Sequence, residues 1–272
     1  MLEKSYIFNS SMPRSGSELL QVILNQNPEI YGSVTSPVLE FWYGARNNMK
    51  LPEVQTQPHE LMEKAFLGQC RGSIAGYYNE ITTKPIVCDK SRGWIYYYDW
   101  LQKVLGETPK VVCMVRDLRE ILCSMENIFR KNRHLPEGPD NPTEMLNLTT
   151  EERVGHWLHT PPIGLGLGRL YDALNQGILE NVHVIRFEDL TSNPAGTMDG
   201  VYDYLGIPRY DHDFNNVVKT VEENSNLYGV YGNHDVNPVV APKAKRYLEV
   251  LGRPVSESIV SNYKWYFDEF YG

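Results

Sequence analysis

An α/β fold, three-layered and built on a mostly parallel central sheet, is predicted by three features of this sequence. Short apolar runs of strand length alternate with amphipathic stretches of helical length. The strand candidates are apolar on both faces, as strands covered by helices above and below must be. The first of them passes into its helix through a tight polar turn that contains glycine.

Tyr6-Ile7-Phe8 reads as a strand, NSSMPRSGS as its exit turn, and Leu19, Leu20, Ile23 and Leu24 as one face of a helix stopped at Asn27-Pro28. Pro85 to Cys88 is the next strand candidate, followed by Trp94, Tyr98, Leu101 and Leu105 at helical spacing. Val111 to Val115 is an unbroken apolar run, and Leu118, Ile121, Leu122, Met125 and Phe129 form the stripe after it. Val182 to Phe187 reads as the last strand. Its helix has Pro194 at the first position after Asn193, apolar residues at Met198, Val201, Tyr202 and Leu205, and Gly206 at its end.

Residues 130–148 are polar and rich in Pro and Asn, the composition of a lid or excursion beside the sheet. Thr149 and Glu152 form a capping box for a helix interrupted at Pro161-Pro162 and resumed through Leu167, Leu170, Tyr171 and Leu174. Residues 44–80 are ambiguous apart from a helix around His59 to Leu67, and a final helix is expected near Val255 to Phe270. With no linker composition and no repeat beyond the alternation, residues 1–272 read as one domain.

Hydrophobic residues make up 42% of the chain and charged residues 22%, a globular composition. The net charge of −8 repels a long polyanion, so general nucleic-acid binding is not expected, whereas a local anion pocket stays open. The longest apolar runs are too short to span a bilayer, and the start MLEKSYIFNSSMPR lacks the features of a signal peptide; the expectation is a cytoplasmic protein. The four cysteines include no Cys-x-x-Cys pair, and Cys88 and Cys113 sit in apolar segments, which fits a reducing compartment. The histidines are scattered without ligand spacing, so no structural metal is expected.

Pro13-Arg14-Ser15-Gly16-Ser17 occupies the first strand-to-helix turn, where a parallel sheet places ligands and where the free N–H groups of a helix start attract anions. Gly16 permits close backbone approach, Ser15 and Ser17 offer hydroxyls, and Arg14 a permanently charged fork. Lacking a lysine and a second glycine, the turn is no Walker A loop. A second basic element starts where the Val111–Val115 strand ends: Arg116 and, about two turns into the next helix, Ser124, so that both can meet one anion.

With these two elements the sequence resembles the sulfotransferases that use 3′-phosphoadenosine 5′-phosphosulfate (PAPS), particularly bacterial-type members and, more distantly, protein-tyrosine sulfotransferases. CDKSRGW at 88–94, RFEDLTSNP at 186–194, YLGIPRYDHDF at 204–214 and NHDVNPV at 233–239 add to the likeness. The resemblance implies a P-loop-like strand-loop-helix in which Pro13, Arg14, Ser15, Gly16 and Ser17 hold the 5′-phosphosulfate and Arg14 assists transfer; Glu18, next in the chain, is also a candidate cofactor residue. It implies that Arg116 and Ser124 grip the 3′-phosphate and that the late segment with His234 approaches the cofactor; Lys90, from its position after the strand, is expected to add positive potential to the cofactor's cleft. Two positions depart from the family. Asn237 stands where a basic residue is common, leaving Lys243 or Lys245 to compensate, and Thr35 stands where the tyrosyl-protein members carry a catalytic glutamate.

A hydroxyl acceptor, whether small molecule, sugar or peptide, benefits from a group that takes its proton, and Arg14 is too basic for that. Glu40, among Phe41, Trp42 and Tyr43, is the first candidate, and Asp89, at a strand end, is the second. Lys90 can instead neutralise Asp89 and orient the loop, and Arg92 adds positive potential. Glu188 and Asp189 read as turn caps or partners of basic residues. The expected activity is metal-free sulfuryl transfer from PAPS; a nucleotide-dependent phosphotransferase or a noncatalytic nucleotide-binding protein are the alternatives.

Overall fold

The computed structural model describes residues 3–134, 143–224, 227 and 236–272. Among these, β1 (Ser5–Asn9), β2 (Ile30–Thr35), β3 (Ile86–Lys90), β4 (Lys110–Val115) and β5 (Val182–Arg186) form one sheet in the order β2-β3-β1-β4-β5, with every pairing parallel. Successive side chains point to opposite faces, and two apolar cores follow from that period. Tyr6, Phe8, Val87, Val111, Cys113 and Val115 enter one; Ile7, Cys88, Val112, Met114 and Ile185 enter the other. The Val111–Val115 run lacks polar alternation because both of its faces are dry.

The helices in the first half are α1 (Ser17–Leu24), α2 (Val38–Asn47), α3 (Pro52–Gln55), α4 (His59–Ile81), α5 (Tyr98–Leu105) and α6 (Leu118–Asn132). Those in the second half are α7 (Thr150–His159), α8 (Ile163–Asn175), α9 (Phe187–Ser192), α10 (Pro194–Leu205), α11 (Tyr247–Val250), α12 (Arg253–Asn262) and α13 (Lys264–Tyr271). Helices α1, α9 and α10 bury their apolar residues in the second core; α2, α4 to α8 and the C-terminal helices bury theirs in the first. The predicted caps are in place: Asn193 accepts from Gly196 N–H before Pro194, and Thr149 and Glu152 close a reciprocal capping box.

Several expectations need correction. β2, IYGSVT, is a strand the periodicity does not reveal, because glycine, serine and threonine dilute its apolar signal at the sheet edge. The helix around His59 to Leu67 runs on to Ile81, although only Cys70, Ile74 and Tyr78 are buried along it. Trp94 precedes its helix in a turn, and α5 begins at Tyr98. The final helix is two, α12 and α13, separated at Tyr263. In the 130–148 excursion, residues 130–132 still belong to α6 and Thr143–Asn147 forms a 3-10 turn; residues 135–142 lie outside the described residues. Among the described residues no helix is long and apolar enough to cross a membrane.

The sheet order places the site. Leaving β1, the chain crosses to the β2 side; leaving β4, it crosses to β5 on the opposite side. A crevice therefore opens at the carboxyl ends of β1 and β4, with those of β3 and β5 as its flanks.

Candidate active site

The exit of β1 continues alongside β4, with Ser10 N–H donating to Val112 O at 2.9 Å and Met12 N–H to Met114 O at 3.0 Å. The chain then turns sharply. Arg14 (φ 59°) and Gly16 (φ 92°) both take left-handed backbone on either side of Ser15, the kind of alternation that gathers N–H groups into an anion-binding concavity. Ser17 begins α1 directly after Gly16. Ser15 is buried, and its hydroxyl donates to Met12 O at 2.6 Å, so it braces the turn from inside while Pro13, Arg14, Gly16, Ser17 and Glu18 line the cleft.

Arg14, Arg116 and Ser124 are brought together. Arg14 Nε donates to Ser124 Oγ at 3.3 Å, and Arg116 Nη1 donates to Arg14 O at 3.3 Å. The Arg116 guanidinium lies 4.5 Å from the centre of the Phe187 ring, and its Nη2 pairs with Glu120 at 3.3 Å. Lys243 lines the same cleft, its Nζ 5.9 Å from the Phe187 ring. Desolvation, followed by the charges of Arg116 and Arg14, lowers its pKa from the ordinary lysine value. Of the two lysines weighed against Asn237, Lys243 reaches the cleft, as does Asn237 itself; Lys245 is not in the wall.

On the β3 side, Lys90 donates to Glu18 at 2.6 Å, and Lys219 reaches the same carboxylate at 2.8 Å. Burial by itself would raise the Glu18 pKa, but Lys90 and Lys219 together outweigh it and hold the group below the usual glutamate value. Lys90 is thus pre-positioned by Glu18, and Asp89 takes no part in orienting it.

Asp89 is fully buried beneath the cleft, and both of its oxygens are engaged, by Tyr78 O–H at 2.6 Å and Trp94 Nε1–H at 2.7 Å. Desolvation raises its pKa. This corrects the expectation that a residue at the end of β3 faces the cleft: side chains alternate, and here Lys90 faces it while Asp89 faces the helices. Glu40 stands exposed in the first turn of α2, outside the cleft wall and within electrostatic reach of Arg169. Asp189 pairs with Arg186, a basic partner as expected, whereas Glu188 accepts from Asp117 N–H and Tyr271 O–H and has no basic partner among these contacts. His234 lies outside the described residues.

The space between the cleft walls, open solvent at its mouth included, is about 1120 Å³. Two of its buried donors, Asn9 Nδ2 and Arg116 Nε, have no partner among the described residues. Buried donors are nearly always satisfied, so orphans converging on one cavity call for a ligand rich in acceptor oxygens. Asn9 and Phe187 are contributions the sequence reading missed. Their signal is position alone, a polar residue closing β1 and an aromatic one directly after β5.

The backbone is similar to that of many solved structures, among them three at identities that speak for the fold alone. The sulfotransferase domain from the curacin biosynthetic pathway matches with a TM-score of 0.57 at 16% identity, over 96% of this chain and 98% of that one. A mouse sulfotransferase complexed with PAP matches at 0.51 and 13% identity, over 96% and 83%. A Mycobacterium tuberculosis sulfotransferase matches at 0.50 and 13% identity, over 95% and 76%. No curated protein sequence matches significantly. The profile of the Sulfotransferase family matches residues 7–212, an interval that holds the β1 turn, Lys90, Arg116 and Phe187 alike, and by that match the chain belongs to the sulfotransferase family.

Proposed function

We propose that the protein moves a sulfuryl group from PAPS to a hydroxyl acceptor, giving 3′-phosphoadenosine 5′-phosphate (PAP) as the second product. The observation that carries this reading is the convergence of Arg14, Arg116 and Lys243 with the orphaned donors of Asn9 and Arg116 on one cleft at the carboxyl ends of the strands. PAPS supplies an activated sulfuryl group on a bisphosphate leaving group, and several cations gathered on one cleft suit its anionic groups.

In this reading the P-loop-like turn, from Pro13 to Ser17, and Lys90 hold the 5′-phosphosulfate. Arg116 and Ser124 hold the 3′-phosphate, with Lys243 supplying the charge that Asn237 lacks. Arg14 neutralises the charge that gathers on the bridge oxygen as the sulfur–oxygen bond breaks. Glu40, exposed outside the cleft wall, takes the acceptor's proton as the acceptor oxygen bonds to sulfur; Asp89, buried with both oxygens engaged, is set aside. Positioning and a positive field suffice for this chemistry, and no metal is assigned a part.

The test is a transfer assay with labelled PAPS over a panel of alcohols, phenols and sugars, combined with calorimetric titration of PAP and of adenosine 5′-phosphate. Label transfer to a hydroxyl, with PAP bound more tightly than the monophosphate, is expected. Equal affinity for the two nucleotides in wild type, or no transfer to any acceptor, overturns the reading.

A further inference from the structure

Arg116 is the first residue beyond β4, and the β4–β5 pairing ends at Val115 with Arg186. Its peptide N–H and C=O therefore leave the sheet ladder inside a buried region where unpaired backbone groups are costly. One side chain satisfies both. The hydroxyl of Tyr266, 150 residues further along the chain, accepts from Arg116 N–H at 3.4 Å and donates to Arg116 O at 2.8 Å. Tyr266 is fully buried in α13, and burial pushes its ionisation well above the ordinary tyrosine value. The neutral hydroxyl can thus donate and accept at once.

The rest of the C-terminal segment closes on the same turn. Tyr271, also on α13, donates to Glu188 at 2.9 Å, and Glu188 accepts from the next peptide, Asp117 N–H, at 3.1 Å. Glu120 pairs with the Arg116 guanidinium through one oxygen and accepts from Arg246 N–H at 2.8 Å through the other. The match to the family profile ends at residue 212, so none of these C-terminal contacts is part of it.

We infer that Tyr266 is a positioning residue of the anion site: through its hydroxyl, α13 fixes the peptide of Arg116 and so aims the guanidinium at the 3′-phosphate end of the cleft. The inference rests on the assignment of Arg116 under Proposed function. The guanidinium is already set against Phe187 and Glu120, and small displacements of its base are transmitted to a charge-assisted bond sensitive to geometry.

The experiment compares wild type, Tyr266→Phe, Tyr263→Phe and Arg116→Ala in titrations with PAP and with adenosine 5′-phosphate. Tyr266→Phe keeps the ring and removes only the hydroxyl; it is expected to weaken PAP about threefold to tenfold while leaving the monophosphate within about twofold. In the transfer assay the KM for PAPS should rise while kcat at saturation holds. Tyr263 donates to Leu158 O in α7 and has no bond to the turn, so Tyr263→Phe should keep the wild-type preference for PAP. A lower folded fraction scales both ligands alike, so the ratio of affinities stays informative even if Tyr266→Phe is less stable. An unchanged ratio in Tyr266→Phe, or an equal shift in Tyr263→Phe, overturns the inference. Arg116→Ala separates the levels. If it abolishes the ratio while Tyr266→Phe leaves it intact, only the role of Tyr266 falls; if Arg116→Ala also leaves the ratio intact, the 3′-phosphate assignment falls and the role of Tyr266 with it.

Discussion

Gly16 and Phe187 lie so close that a Cβ on residue 16 would sit 2.6 Å from Cδ2 of the ring. The same ring carries the guanidinium of Arg116 at 4.5 Å. The β1 turn and the Arg116 guanidinium are therefore held in register through one aromatic side chain. Gly16→Ala is expected to cost about 1–2 kcal/mol for the left-handed backbone alone. Because the ring must also yield, PAP affinity should fall by about tenfold or more. Chemical denaturation and calorimetry measure the two effects; near-wild-type PAP affinity would show that Phe187 moves without carrying Arg116.

Arg14 is expected to act mainly in the transition state. Arg14→Ala should lose about 10² to 10³ in turnover, by analogy with removal of one oxyanion donor, while keeping much of its cofactor affinity. Arg14→Lys should recover part of the rate, since charge returns without the fork. Rates at saturating PAPS, set against PAP titration, distinguish this from a loss of binding alone.

The two carboxylates should respond differently. Glu40→Gln is expected to lower turnover by about 10² to 10⁴, most with acceptors of high hydroxyl pKa and least with activated phenols. Asp89→Asn should cost stability, about 1–3 kcal/mol, because the Tyr78 and Trp94 donors lose an ionisable acceptor. A rate series over acceptors of graded pKa checks the first, and urea unfolding the second. Full activity of Glu40→Gln across that series removes Glu40 from the mechanism.

Asp89 also sets a pH dependence of stability. Its folded pKa lies above the ordinary aspartate value, so between the two values the folded state binds the proton more tightly than the unfolded chain. Stability conferred by the protonated form is present below the unfolded pKa and is lost as pH rises through that window. Urea unfolding of wild type and Asp89→Asn across the acidic range should show this falling slope in wild type and its absence in the variant.

Transfer should survive extensive EDTA treatment, because Arg14, Arg116, Lys90 and Lys243 already bring positive charge to the cleft. Activity that disappears and returns only with added Mg²⁺ would favour phosphoryl transfer instead.

The strands with continuous apolar runs were legible because both faces of the inner sheet are buried, and the β1 turn because it joins arginine and glycine at a strand end. β2 was not legible: an edge strand needs less apolar sequence to be held. Asp89 was misplaced because strand position gives the level of a residue along the sheet, while the face it takes depends on which neighbour points to the core. The roles of Phe187 and Tyr266 are contacts between residues far apart in the chain, 16 with 187 and 116 with 266, and local patterns carry no record of those.

Arg14, Arg116, Phe187 and Lys243 come from four separate stretches of the chain, and each reaches the cleft only after its own segment has docked. A fragment lacking any of these stretches cannot present the set, so affinity for the nucleotide depends on all four being docked. By mass action, PAP at a hundred times its Kd should then stabilise the entire molecule by about 2.7 kcal/mol. The rise in melting temperature with nucleotide concentration becomes a gauge of how cooperatively these distant segments unfold.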